Sequence, residues 1–76
     1  MLDISLKQMR YAVEIAQCGS INQAAQNLYV TQSSLSKAMK ELENVLGYAV
    51  FQRTPAGTAV TEEGQSFLEL AHQLVY

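Results

Sequence analysis

Residues 20–44, SINQAAQNLYVTQSSLSKAMKELEN, read as a short helix, a tight turn and a second, longer helix with two unlike faces. With the second helix starting at Gln32, Leu35, Met39, Leu42 and Leu46 recur at helical spacing and form an apolar stripe for a core. The other face carries Ser33, Ser36, Lys37, Lys40 and Asn44, all able to donate hydrogen bonds and none bulky and apolar. A helix anchored on one side and offering short donors and lysines on the other suits a hydrogen-bonding surface. The leading expectation for that surface is the major groove of DNA.

The flanks supply the rest of the architecture. Leu6 to Gln17 reads as a first helix on Leu6, Met9, Val13 and Ala16, widened by Ala12 and Ile15 and ended by Gly19. Ser20 opens the next helix, and Gln23 three residues on predicts a reciprocal capping box. Ile21, Ala24, Ala25 and Leu28 are its inward side, the alanines small enough for a close helix crossing. Tyr29-Val30-Thr31 is the turn, without the glycine often found there, and Thr31 is an N-cap for Gln32 to Leu46. Gly47 closes that helix. After it, Val50 to Gln52 and Ala59-Val60 read as two short strands around the loop Arg53 to Thr58, a β-hairpin wing. Thr61 with Glu62 and Glu63 marks a last helix start, with Phe67, Leu68, Ala71, Leu74 and Val75 as its apolar side. That stripe still runs at Tyr76 without a C-cap, which reads as a cut inside a longer helix.

Bulk properties narrow the function. Seventy-six residues allow one small domain near the lower limit of independent stability, so either oligomerisation or a continuation of the chain is expected. No apolar run approaches a membrane span, and Asp3, Lys7, Gln8 and Arg10 interrupt any secretory signal, which points to a soluble, cytoplasmic chain. Cys18 has no partner for an internal disulfide. The single histidine, His72, is far from Cys18 in the chain, and no nucleophile–base pair, phosphate loop or metal-ligand spacing occurs. The chain therefore reads as a non-enzyme with no cofactor and no metal. Its net charge of −2, from five basic and seven acidic residues, is unusual for a nucleic-acid binder. The distribution is more favourable: Lys37, Lys40 and Arg53 lie in the expected contact segment, while Glu62, Glu63 and Glu69 lie in the last helix. So few cations imply modest, salt-sensitive affinity for one copy and a need for two or more.

Leu6-x-Gln8-x-Arg10-Tyr11-x-Val13, Gly19-Ser20-Ile21, Ala24-Ala25-x-x-Leu28, Val30-Thr31-Gln32-Ser33-Ser34-Leu35-Ser36-Lys37, Leu42-Glu43-x-x-Leu46-Gly47, Phe51-x-Arg53-Thr54, Gly57 and Thr61-Glu62-x-Gly64 follow one another along the chain. In that order and spacing they resemble the N-terminal DNA-binding domain of LysR-type transcriptional regulators over essentially the whole length. The resemblance implies a mainly α fold, a winged helix-turn-helix of three helices and a two-stranded wing at residues 4–61. The helix-turn-helix motif falls at about 21–40, and residues 62–76 begin a linker and dimerisation helix. It also implies double-stranded DNA as partner, with recognition helix 32–46 in the major groove and the wing near the minor groove. Control of transcription would be exerted as a homodimer or tetramer, with a small-molecule effector bound only through a further domain. The chain departs from the family pattern in places: Ser33 stands where proline is usual, and the wing tip Pro55-Ala56-Gly57 lacks the usual basic or bulky polar residues. Lys37 stands where arginine is most common and keeps the charge without the bidentate fork.

The candidate DNA-binding residues are Ser20, Thr31, Gln32, Ser33, Ser36, Lys37, Lys40, Arg53, Thr54 and Thr58. Gln32, Ser33 and Ser36 occupy the first turns of the recognition helix, where base edges are read; Lys37 and Lys40 reach bases or phosphates. Arg53, Thr54 and Thr58 flank the wing, and Ser20 and Thr31 sit at helix N-termini that attract phosphate. Tyr11, Tyr29, Tyr48, Phe51 and Phe67 are expected in or at the edge of the core. The alternative function is a winged-helix protein-interaction module without DNA binding, which the acidic balance and bare wing tip favour.

Overall fold

The computed structural model describes residues 4–76; Asp3 lies outside them. Within that span a hydroxyl side chain starts each helix. Ser5 caps α1 (Leu6–Cys18), Ser20 caps α2 (Ile21–Leu28), Thr31 caps α3 (Gln32–Leu46) and Thr61 caps α4 (Glu62–Val75). Each accepts a hydrogen bond from the backbone N–H three residues on, which satisfies a donor that the helix leaves unpaired. The full reciprocal box forms at Ser5, where Gln8 Oε1 accepts from the Ser5 N–H at 2.9 Å. It does not form at Ser20, contrary to expectation. There the Gln23 amide donates instead to Asn27 Oδ1 at 2.9 Å, one turn along α2, which leaves only half of the box.

Between α3 and α4 the chain forms an antiparallel hairpin, β1 (Phe51–Thr54) and β2 (Gly57–Val60), with Phe51 opposite Val60 and Arg53 opposite Thr58. The expected six-residue loop is therefore too long. Arg53, Thr54, Gly57 and Thr58 belong to the strands, and only Pro55 and Ala56 turn. Gly57 makes this possible: its φ of +138° is closed to most side chains, and a Cβ there would lie 2.7 Å from the Gly19 carbonyl oxygen. The neighbouring Thr58 N–H donates to that same oxygen at 3.1 Å, tying the wing to the α1–α2 corner.

The core gathers around α1, which packs against α2, α3, α4 and β2. Ile15, Leu35, Leu42 and Val50 are its largest fully buried side chains, each contributing about 1.5–3 kcal/mol by leaving water. Leu35, Met39 and Leu42 are buried and Leu46 half-buried, so the stripe that orients α3 faces inward as its spacing requires. Ala24 and Ala25 are buried at the α2 crossing. Two stripes run off the core. Leu6 on α1 is 50% exposed and Leu74 on α4 is 57% exposed, since α4 buries only Gly64, Phe67, Leu68 and Ala71. Tyr11, Tyr48 and Phe51 are half-buried and Phe67 is buried, but Tyr29 is 95% exposed, which corrects its placement in the core. Tyr29 ends α2 at φ +58°, ψ +40°, the left-handed position that glycine usually takes. A bulky residue held there costs about 1–2 kcal/mol relative to glycine.

Across the α1–α2 junction, Asn27 Nδ2 donates to Glu14 Oε2 at 2.9 Å and the Cys18 thiol donates to the same oxygen at 3.1 Å. The Asn27 and Cys18 hydrogen bonds hold the Glu14 carboxyl below its ordinary value of 4.5. The same contact with Glu14, with a smaller contribution from burial, raises the Cys18 thiol and keeps it protonated. A carboxyl more acidic in the folded chain stabilises it above the unfolded-state value and loses that contribution as pH falls through the folded one. Thermal melts of the parent chain should therefore fall from about pH 4.5 downward, and Asn27→Ala should flatten that acid limb. An unchanged limb in Asn27→Ala would place the acid sensitivity elsewhere.

Candidate nucleic-acid interface

Because Leu35, Met39 and Leu42 are pinned in the core, the opposite side of α3 is fixed in rotation and faces outward. Gln32, Ser33, Ser36, Lys37 and Lys40 line one open depression on it. All are exposed except Ser36, which is half-buried at the edge toward the wing. Ser36 and Lys40 also line a cleft between α3 and the wing, shared with Glu43, Phe51, Arg53 and Thr58. Seven of the ten expected residues thus lie on one continuous face: Gln32, Ser33, Ser36, Lys37 and Lys40 from α3, Arg53 and Thr58 from the hairpin.

The other three stand apart. Ser20 Oγ is engaged by the Gln23 N–H at 3.2 Å, and Thr31 Oγ1 by the Ser34 N–H at 3.1 Å. Thr54 Oγ1 donates to the Gly57 carbonyl at 3.3 Å inside the hairpin turn. Ser20 and Thr31 are caps, and what they present outward is the backbone N–H groups of the first helical turns, a setting that favours anions. Lys7, the other lysine, lies over the Tyr11 ring at 5.7 Å from its centroid.

Two residues outside the ten expected contacts stand out in the structure. Glu43 sits in the α3–wing cleft and accepts from the Val50 and Phe51 N–H groups at 2.7 and 3.1 Å. Charge-assisted bonds of this kind are about twice as strong as neutral ones, and here they lock the start of β1 to the C-terminal half of α3. Arg53 therefore holds a set position relative to Lys40. Glu43 is part of the Leu42-Glu43-x-x-Leu46-Gly47 motif, but its partners lie seven and eight residues on, beyond any helical pattern. The second residue is Tyr29, projecting from the turn that leads into α3.

Charge is divided as the sequence implies. Three of the five cations, Lys37, Lys40 and Arg53, are on this face, while Glu62, Glu63 and Glu69 lie exposed on α4. Among the described residues no group of histidine, cysteine or acidic side chains is arranged to hold a metal ion, and no helix is long and apolar enough to cross a membrane.

Three helices with a hairpin after the third, and a polar, cationic face on that third helix, define a winged helix-turn-helix protein. Residues 6–65 match the family model described as bacterial regulatory helix-turn-helix protein, lysR family. The chain belongs to that family. It is 38% identical over 72 residues to the uncharacterized HTH-type transcriptional regulator YcgK of Bacillus subtilis, covering 95% of this chain and 22% of that protein. Its fold superposes on the CbnR DBD–DNA complex with a TM-score of 0.88 at 31% identity, over 93% of this chain and 82% of that one. The BenM DBD/catB site 1 DNA complex gives the same TM-score of 0.88 at 31% identity, over 93% of this chain and 80% of that one. The chain thus spans about a quarter of the curated relatives it matches, 22% of YcgK and 25% of ClcR of Pseudomonas putida, and most of the domains in those two DNA complexes.

Proposed function

We propose that this chain is the sequence-specific DNA-binding part of a transcriptional regulator, acting in the cytoplasm. The observation that carries the reading is the single outward face joining Gln32, Ser33, Ser36, Lys37 and Lys40 of α3 to Arg53 and Thr58 of the wing. It is supported by the DNA-bound state of two domains of the same fold. Gln32, Ser36 and Ser33 meet base edges in the major groove, and glutamine suits adenine N6 and N7. Lys37 and Lys40 hold phosphates or bases, and Arg53 lies toward the adjacent minor groove, with Thr54 and Thr58 beside it. The N-termini capped by Ser20 and Thr31 offer backbone N–H groups to phosphates.

Residues 4–61 form the reading unit in this proposal, and α4 from Glu62 begins the helix that pairs with a second copy. The exposed Leu70 and Leu74 on α4, and Tyr76 just after it, support that assignment. A homodimer, and a tetramer in a longer protein whose further domain senses a small molecule, would multiply a weak single-copy affinity. No catalytic step is assigned to any residue.

Selection of bound duplex from a random pool tests the reading. The selected site should be a pseudo-palindrome, and binding should weaken with salt at a log–log slope of about −0.9 per phosphate neutralised. Equal affinity for selected and random duplex would sink specific reading. Absence of any duplex binding would favour the protein-interaction module, to which the net charge of −2 gives some support.

A further inference from the structure

We propose that Tyr29 is a DNA-backbone contact, its phenol hydroxyl donating a hydrogen bond to a phosphate at the edge of the groove that α3 enters. The inference rests on the DNA-binding reading above and adds a residue to it. It starts from a conflict between backbone and side chain. The end of α2 requires a left-handed residue, because the Tyr29 N–H turns back to Gln26 O at 3.2 Å and the Val30 N–H to Ala25 O at 3.0 Å. Among the described residues Tyr29 is the sole non-glycine with positive φ, and it is the largest aromatic-bearing exposure in the fold at 95%.

Glycine would serve the turn with less strain. Burial returns nothing for the tyrosine, since the ring lies almost wholly in water. A strained residue whose side chain does nothing within its own fold points to a partner outside it. Position names that partner. Tyr29 stands two residues before Thr31, at the entrance to the exposed first turn of α3 with Gln32 and Ser33. A helix that enters a groove by its N-terminus brings the residues just before it alongside the sugar–phosphate wall. Tyrosine is among the side chains that bond phosphate oxygens, and such contacts fix register without reading sequence.

The test uses this chain, the duplex it selects from a random pool, and a scrambled duplex of equal length, followed by fluorescence anisotropy. Tyr29→Phe keeps the ring and removes the hydroxyl; Tyr29→Gly removes the side chain and relieves the backbone. Both should weaken binding about tenfold, the size expected for one hydrogen bond to a charged group. The loss should be similar on both duplexes and should leave the salt slope unchanged, since a neutral donor releases no counterion. Tyr29→Gly should also melt higher than the parent, so a folding defect does not account for its weaker binding. Full affinity in Tyr29→Phe would overturn the proposal, as would a loss confined to the selected duplex. If the parent itself binds neither duplex, the DNA-binding reading fails and this contact with it; if the parent binds and the variants match it, only the contact fails.

Discussion

Replacing both Gln32 and Lys37 with alanine is expected to weaken binding to the selected duplex by about two orders of magnitude and to leave the fold intact. A well-placed bidentate base contact is worth about 1–3 kcal/mol, and loss of a charged contact adds to it; about 1.4 kcal/mol corresponds to each factor of ten. Neither side chain supports the core. Both are exposed on the outward side of α3, where substitutions usually change stability by no more than about 0.5 kcal/mol. The two losses should separate in single variants. Lys37→Ala should reduce the salt slope by about 0.9 if its ammonium sits on a phosphate, whereas Gln32→Ala should flatten the preference at one base pair and leave the slope alone. Anisotropy titrations at several salt concentrations, with a melting curve for each variant, measure both. Unchanged affinity in the double variant would remove α3 as the reading element.

The largest effect on stability is expected at a residue that makes no side-chain contact at all. Gly64, buried in the first turn of α4, lies so close to the strand entry that a Cβ would stand 2.6 Å from Val50 O and 2.9 Å from Val50 Cα. In an exposed helix, alanine would be favoured over glycine by about 1 kcal/mol. Here the obstructing atoms are backbone, and that backbone is held on both sides. The Val50 N–H is bonded to Glu43, and Val50 O accepts from the Thr61 N–H at 2.9 Å. Movement of Val50 would strain the tie between α3 and the wing and the start of α4 together, so overpacking should outweigh propensity. Gly64→Ala is expected to lower stability by about 2 kcal/mol, which in a domain of this size corresponds to roughly 10 °C in Tm. Urea or thermal denaturation measures it, and a variant as stable as the parent would show that α4 can lift away from Val50 at no cost.

The positions in these two predictions differ in how far they were open to reading from sequence. Lys37 follows from a period: once Leu35, Met39 and Leu42 are assigned inward, Lys37 between them is assigned outward, whereas Gln32, seven residues before Met39, falls on the stripe itself and is exposed as the first residue of α3. Gly64 appears in the sequence only as part of Thr61-Glu62-x-Gly64, where the capping role of Thr61 is evident and the approach of Val50, fourteen residues earlier, is not. The wing shows the same division. Pro55 and Gly57 announce a turn, yet how many residues it takes depends on Thr58 reaching Gly19 and on the φ of Gly57. Propensity alone assigned Arg53 and Thr58 to a loop; pairing placed them opposite each other on adjacent strands, facing the α3 cleft.

By itself, then, the sequence determined where helices start and stop and which way α3 faces. Those features rest on hydrogen bonds and side-chain neighbours three or four residues apart, as in Thr31 with Ser34 or Leu35 with Met39. Only the tertiary structure decided the outward turn of Tyr29, the anchoring of β1 by Glu43 and the meeting of Arg53 and Thr58 with Ser36 and Lys40. Several of these depend on groups brought together from different elements, where local choices compete and packing selects among them. Glu14 and Asn27, thirteen residues apart across the α1–α2 corner, show the reason in one contact: each is an ordinary surface residue until the helices cross.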